Sequence, residues 1–402
     1  MKACITVLLG VLAVCVCLTG GAAIADEAAA VVASPMAKAC CEDLAKRLGV
    51  EAAEVSVERT EAVTWPDASL GLSLPGMAYA QVLTSGWALL LKSPHGSYLY
   101  TTSRRALRYG GPADAWGYSA LYLQPLEGEP NFNCDLMQVS LVGTNPRLLI
   151  HAVSSFRAQR DGSIVAKRRT SRSSHDLVYL APGVASDEKL LAGAFDFGDS
   201  AISPDGKEWM VFRRPGPGAA WEVAGRALGD DTAEIGSLAL PEGTRPDRLY
   251  WDADGHIVAA LRTGDKATPY EMLRNGAEWS WRPLNGYALP ETGDLLLNKS
   301  ESLQISVATD KDKPVTHIAS TWFTGDVTRT VSLEGFGMKT FQVTPSHRFV
   351  FLSGTESDVA KAYAVDFASG EKLLCASGFR GDAQLFLAPP RDRARIPVLR
   401  EP

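Results

Sequence analysis

The sequence predicts a mainly β fold: a small α+β domain followed by a roughly six-bladed β-propeller. Three observations predict it. In the mature chain, helical periodicity is confined to one stretch, residues 36–48. From residue 113 onward, short β-rich runs alternate with Gly, Pro, Asp and Ser turns. Asp-Gly pairs begin at 161, 205 and 254, spacings of 44 and 49 residues that fit four-stranded propeller blades. Residues 113–390 have room for about six such units.

The chain of 402 residues has 46% hydrophobic and 21% charged residues, which is enough to build a full core. Its net charge of −6 gives no electrostatic reason to expect nucleic acid as a partner. Lys2 precedes an apolar run over 5–18, and Gly20, Gly21 and the triplet Ala23-Ile24-Ala25 follow. That order reads as a signal peptide over 1–25 with cleavage before Asp26, so the protein is expected in the periplasm or outside the cell. Cys15 and Cys17 in the same segment leave a lipid anchor open, although each follows a valine rather than a small residue. Cleavage leaves no integral membrane span. Residues 26–35 are small and acidic and read as a flexible leader.

The first domain is expected over 36–110. Cys41, Leu44 and Leu48 recur at helical spacing, and Gly49 is placed to cap the helix C-terminus. Val55, Val57 and 61–63 read as extended. Pro66, Asp67 and Gly71 punctuate a loop. Strands are expected over 78–83 and 87–91, turning at Ser85-Gly86, and over 97–102 after a turn at His95-Gly96. One helix against an antiparallel sheet gives an α+β unit.

Within this unit the run EAVTWPDASLGLSLPGMAYAQV carries Trp65, Pro66, Asp67, Leu70, Gly71, Pro75, Gly76 and Tyr79. With the preceding DLAKRLGV and the later Tyr98 and Tyr100, it resembles a small domain found in exported proteins and lipoproteins of bacteria. The resemblance spans residues 41 to 109. It implies a location and a fold rather than a reaction. The family often has a cysteine after its Leu-Gly pair, where Leu72 stands here.

In the second domain, 201–212 (AISPDGKEWMVF) reads as strand, tight turn, strand. Asp-Gly supplies the positive φ that such a hairpin needs. Comparable units lie at 158–165, 250–258 and 343–350, with a weaker one at 305–320. The Ser203-Pro204-Asp205-Gly206 unit resembles the WD40-like repeats of bacterial Tol-type periplasmic propellers.

The motifs of several enzymes are missing. There is no G-x-S-x-G elbow for an attached peptidase domain, and the Asp-box spacing of sialidases does not match. Asp252-x-Asp254-Gly255 reads as a turn rather than a calcium loop, and the six histidines form no ligand spacing. No cofactor or metal is therefore expected. Lys167, Arg168, Arg169 and Arg172 read as a hairpin tip, and 391–402 as a basic tail. Of nine tryptophans, Trp279 and Trp281 share one face of a strand and are the best local candidates for a ligand platform. Cys134 and Cys375 flank the propeller, and ring closure would bring its first and last blades together. In an oxidising compartment a disulfide between them is expected, with two buried free thiols as the alternative; the adjacent Cys40 and Cys41 bridge only under strain.

The functional expectation is a binding or scaffold protein that presents the propeller to a protein or glycan partner. The alternative is a carbohydrate-active enzyme, a glycosidase or lyase, using the central depression. That enzyme would need two carboxylates about 5 to 9.5 Å apart in one pocket.

Overall fold

The computed structural model describes residues 31, 34–126, 134–158, 162–170, 175–181, 188–194, 196–203, 205, 207–228, 234–251, 255–276, 278–284, 303–309, 315–322, 327–388 and 396–399. The expected signal segment lies outside these residues, as do 26–30 and 32–33 of the expected leader, whose last two residues, Ser34 and Pro35, instead begin the first helix.

The helix forms as expected. In α1 (Pro35–Leu48), Ser34 caps the N-terminus by accepting from Ala37 N, and Pro35 begins the first turn. Gly49 ends the helix in the left-handed region at φ 68°. Ala37, Cys40, Leu44 and Ala45 pack on Leu89, Leu91, Tyr98 and Tyr100. These four come from the antiparallel sheet β1 (Ser56–Trp65), β2 (Thr84–Ser93), β3 (Gly96–Ser103) and β4 (Leu107–Pro112).

Two strand expectations need correction. Residues 78–83 are not a strand, and Ser85-Gly86 is not a turn but lies inside β2. The reason is Trp65. Its indole Nε1 donates to Thr102 O at 3.0 Å, on the sheet face opposite the helix. A Cβ on residue 86 would lie 1.7 Å from that same oxygen, so the close approach of β2 and β3 requires glycine. The chain then needs the whole 66–83 segment to wrap Trp65 before β2 can start.

From Ser119 the chain builds a ring of six sheets. The first blade is β5 (Ser119–Pro125), β6 (Cys134–Ser140) and the first half of β7 (Arg147–Ala158). The second half of β7 continues into the next blade with β8 (Ile164–Arg169), β9 (His175–Leu180) and β10 (Glu188–Ala194). Ala152, at φ 58°, marks the bend between the two halves. The third blade is β11 (Asp196–Ile202), β12 (Glu208–Arg214), β13 (Glu222–Ala227) and β14 (Glu234–Ala239). The fourth is β15 (Arg245–Trp251), β16 (Ile257–Thr263), β17 (Lys266–Asn275) and β18 (Glu278–Pro283). The fifth has three strands among the described residues, β19 (Leu303–Thr309), β20 (Val315–Trp322) and β21 (Val327–Glu334). The sixth is β22 (Phe336–Val343), β23 (Phe349–Glu356), β24 (Val359–Asp366) and β25 (Lys372–Ser377). Finally β26 (Arg380–Phe386) pairs with β5 and closes the ring.

Blade faces explain why the strands read as continuous apolar runs. In β12, Trp209 and Val211 pack toward Val165, Leu177 and Tyr179 of the second blade. Met210 and Phe212, on the other face, pack toward Leu249, Ile257 and Ala259 of the fourth. A strand buried on both faces needs no polar alternation. The expected repeat turns are equivalent in the fold. Gly162, Asp205 and Gly255 each lie between the first and second strand of consecutive blades. Asp161, Pro204, Gly206, Asp252 and Asp254 lie outside the described residues.

Two further expectations are corrected. Cys134 and Cys375 are free thiols. Ring closure does bring the first and last blades together, but Cys134 packs between the first and second blades and Cys375 between the sixth and first. The two therefore lie on opposite faces of one sheet. Cys375 Sγ donates to Leu141 O at 3.0 Å, and Leu141 is seven residues beyond Cys134, about 23 Å along an extended chain. Nor is the C-terminal stretch a solvated tail where it is described. Ile396, Val398 and Leu399 return to the small domain and are buried with Trp65, Leu70, Leu72 and Trp116.

The Trp65 contact gives a direct test. Gly86→Ala places a methyl against backbone that cannot move aside, and should cost about 3 kcal/mol, the upper range for overpacking. The midpoint of urea unfolding measures it. An unchanged midpoint would show that β2 and β3 do not meet as described.

Candidate functional site: the inner strands and the seam between domains

The repeat turn shows how one local design serves two purposes. In the third blade, Ser203 N donates to Glu208 O at 2.8 Å, and Glu208 N donates back to Ser203 Oγ at 2.9 Å. Ser203 Oγ donates to Asp205 Oδ1 at 2.7 Å, and this bond with that from Lys207 N holds the carboxyl below its ordinary pKa. The sixth blade repeats this geometry with other residues. Thr344 N donates to Phe349 O at 3.0 Å, and Phe349 N donates to Thr344 Oγ1 at 3.1 Å. His347 takes the left-handed region at φ 55°, at the position that aligns in sequence with Gly206. Arg348 thus occupies the place of Lys207.

Lys207 is exposed, whereas Arg348 fastens the small domain to the ring. Its Nε and Nη2 each lie 3.1 Å from a different oxygen of Asp366, which is completely buried. Nη2 also donates to His95 O, in the β2–β3 turn, at 3.2 Å, and Nη1 bonds Asp114. Burial opposes the Arg348 charge, but Asp366 and then Asp114 more than offset this, so its pKa is raised. One guanidinium therefore joins the sixth blade, the β2–β3 turn and the linker into the ring.

Two more contacts complete the seam. Asn145, in the β6–β7 turn, donates to Gly71 O at 2.9 Å and accepts from Ser73 N at 3.0 Å. The motif residues account for this. Asp67 Oδ1 accepts from Ser69 N at 2.8 Å, and Leu70 and Gly71 both take positive φ. A Cβ on Gly71 would lie 2.8 Å from the Trp65 ring. The W-P-D-x-S-L-G run is therefore a wrapped turn that aims Gly71 O and Ser73 at the ring. Pro75, Gly76 and Tyr79 belong to the outgoing half of the loop, where Tyr79 Oη accepts from Leu74 N at 3.2 Å. At the far side, Tyr109 Oη donates to Glu371 Oε2 at 2.5 Å, and Arg47 stacks 4.4 Å over the Tyr109 ring. Burial raises the pKa of Glu371, and the bonds to Tyr109 and the charge of Arg47 only partly counter it. A cleft of about 470 Å³ opens beside the seam, with Asp114, Tyr118, Ser346 and Leu399 among its walls.

The innermost strands are stitched to one another by side chains. Gln342 of β22 accepts from Leu385 N of β26 at 2.6 Å. Gln384 of β26 accepts from Ala158 N at 3.0 Å and donates to Phe156 O of β7 at 3.3 Å. Arg157 of β7 pairs with Asp199 of β11 at 2.5 Å, and the other Asp199 oxygen accepts from Leu249 N of β15 at 2.8 Å. Both oxygens of that inner carboxylate are thus engaged.

Trp279 and Trp281 do share a face, as expected, but that face meets the third blade. Trp281 Nε1 donates to Ala239 O at 2.8 Å, and the Trp279 ring lies where a Cβ on Gly225 or Gly236 would clash. They are inter-blade packing rather than an open platform. The basic stretch also begins inside β8, where Lys167 pairs with Asp196 of the next blade at 2.7 Å. Arg348, Asn145 and Glu371 were not singled out from sequence. The alignment of 344–349 with 203–208 is the signal that would have found Arg348.

Residues 37–109 match the family model described as Domain of unknown function (DUF8738). No curated protein matches the sequence. Similar solved structures include TolB from Acinetobacter baumannii, at 11% identity over 75% of this chain and 79% of that one, with a TM-score of 0.43. The periplasmic gluconolactonase PpgL of Pseudomonas aeruginosa is similar at 14% identity over 68% and 99%, with a TM-score of 0.36. The β-propeller domain of the Trilobed protease from Pyrococcus furiosus is similar at 10% identity over 63% and 78%, with a TM-score of 0.34. The chain is a β-propeller protein with TolB-like structural neighbours.

Removing Arg348 strands a buried carboxylate. Arg348→Met should destabilise the protein by about 3–5 kcal/mol, and adding Asp366→Asn should recover part of that loss. Chemical unfolding measures both, and equal losses in the single and double variants would contradict the pairing. Glu371 gives a pH signature. An acid raised in the folded state contributes stability that is complete below its unfolded pKa, about 4.3, and lost as pH rises through the folded value. Glu371→Gln keeps an acceptor for Tyr109, so its melting temperature should gain on the wild type as pH rises above that range. A difference independent of pH would contradict the seam geometry.

Proposed function

We propose that this is an exported binding or scaffold protein, periplasmic or extracellular, whose propeller presents a surface to a protein or glycan partner. The signal pattern over 1–25 supports export. The observation that carries the binding reading is the use made of inner-strand polar groups. Asp199 is held by Arg157 and Leu249 N, and Gln342 and Gln384 are spent on neighbouring strands. These groups make a fixed frame, and an inner carboxylate bonded at both oxygens is poorly placed for acid–base work. Blade loops on a rigid ring suit recognition. The solved propellers named above include a lactonase and a protease domain as well as TolB, so the fold by itself selects no chemistry.

The test uses the protein recovered from the exported fraction of its host. Intact mass should place its first residue at Asp26. Incubated with envelope glycans and with lactones, it should show saturable binding to a glycan or a captured envelope protein without turnover. An intact Met1 would remove the export reading. Turnover of a glycan or lactone that disappears in Asp199→Asn would make it an enzyme and remove the binding reading.

A further inference from the structure

The β1–β2 connection leaves the ring after Ser73 and runs outward over 74–83. It is exposed but well tied. Ala68 N donates to Ala80 O at 3.0 Å, and Thr84 Oγ1 donates to Val82 O at 3.0 Å. Arg108 donates to Ala68 O at 3.2 Å and lies 5.3 Å over the Tyr79 ring. From this fixed backbone, Leu74, Met77, Val82 and Leu83 stand in water, 43%, 59%, 60% and 75% exposed. Of eight exposed large apolar side chains among the described residues, these four fall within ten residues of chain. Such a concentration marks an interaction site.

The charge around it is equally one-sided. Trp65 pairs with Thr84, and Gly86 with Ser103, so the 66–83 loop and the β3–β4 turn lie at the same end of the sheet. That turn carries the exposed Arg104 and Arg105, with Arg108 just beyond. Asp67 is the lone acidic residue between 62 and 113, in a chain of net charge −6, and its carboxylate is engaged with Ser69 N. The ring is met by the opposite end of the sheet, at His95, and by Gly71 and Ser73 of this loop, while the exposed apolar residues follow from Leu74 onward.

We infer that this end of the small domain docks on an anionic lipid surface. Met77, Val82 and Leu83 would enter the headgroup boundary while Arg104 and Arg105 pair with lipid phosphates. The exposure of these side chains favours a bilayer over a protein partner. Val82 and Leu83 project from an extended segment, so a folded partner would need pockets shaped for them, whereas a bilayer yields to any protruding aliphatic group. No helix among the described residues is long and apolar enough to cross a membrane. It does not depend on which partner the propeller binds.

The test is flotation of the mature chain, residues 26–402, with vesicles of equal parts phosphatidylglycerol and phosphatidylcholine, and with pure phosphatidylcholine. The protein should float with the mixed vesicles and much less with the neutral ones. Arg104→Gln with Arg105→Gln should weaken partition roughly fivefold per charge at low salt. Val82→Asp with Leu83→Asp should weaken it at least about tenfold. Met77→Ser with Leu83→Ser provides a milder pair should the aspartates disturb folding, which an unchanged melting temperature checks. Failure to float with anionic vesicles would overturn the inference. So would flotation that both folded apolar variants leave intact, or a stoichiometric protein complex through 74–83 that vesicles do not displace.

Discussion

Everything in this molecule depends on closing a ring whose two ends are the first and last strands of the propeller. A row of sheets left open would expose the Leu121–Phe386 face and two unpaired strand edges. β26 removes both by pairing with β5, and its Gln384 and Leu385 then tie into the blades on either side. Beyond β26, Ile396, Val398 and Leu399 pack with Trp65 and Trp116 of the small domain. The C-terminal segment thus belongs to the ring and to the small domain at once. This makes the N-terminal unit part of one folded body rather than an appendage.

The seam shows how a repeat is adapted to hold a different domain. In the sixth blade the turn between the first and second strands is held by the Thr344 hydroxyl at its start and by His347 at positive φ near its end. The next position is therefore free to vary. Lys207 uses it for solvent, and Arg348 uses it to reach Asp366, Asp114 and His95 O. Asn145, in another interstrand turn, grips the wrapped W-P-D-x-S-L-G loop. The loop's unusual backbone, with Leu70 and Gly71 both at positive φ, is what brings Gly71 O and Ser73 N within its reach.

Much of the fold was legible because it rests on local rules. Helix α1 announced itself by apolar spacing and by Gly49, and the blades by turn chemistry at a blade-length period. What failed were the readings that depended on distant contacts. Residues 78–83 have the composition of a strand, yet the Trp65–Thr102 bond and the space at Gly86 push the strand start to Thr84. Ring closure does join the first and last blades, but the expected Cys134–Cys375 pairing fails because the two cysteines pack on opposite sides of the first blade. Trp279 and Trp281 share a face for the reason of strand alternation, while only the packed ring shows that the face is an inter-blade one. The seam residues were hidden because an arginine, an asparagine and a glutamate in turns carry no spacing signal of their own. Residues 78–83, the end of the exposed loop, read as strand because Val82 and Leu83 favour sheets, and only the structure shows them standing in water.

The structural account requires the small domain and the ring to form one folded body. Native-state hydrogen exchange tests that requirement most directly. If Arg348, Asn145 and the returning C-terminal segment join the two units, the slowest amides of α1 and β2 should open with the same free energy as those of β5 and β26. If α1 and β2 instead exchange through a separate opening of much lower free energy, the small domain folds and moves on its own, and the single-body account is wrong.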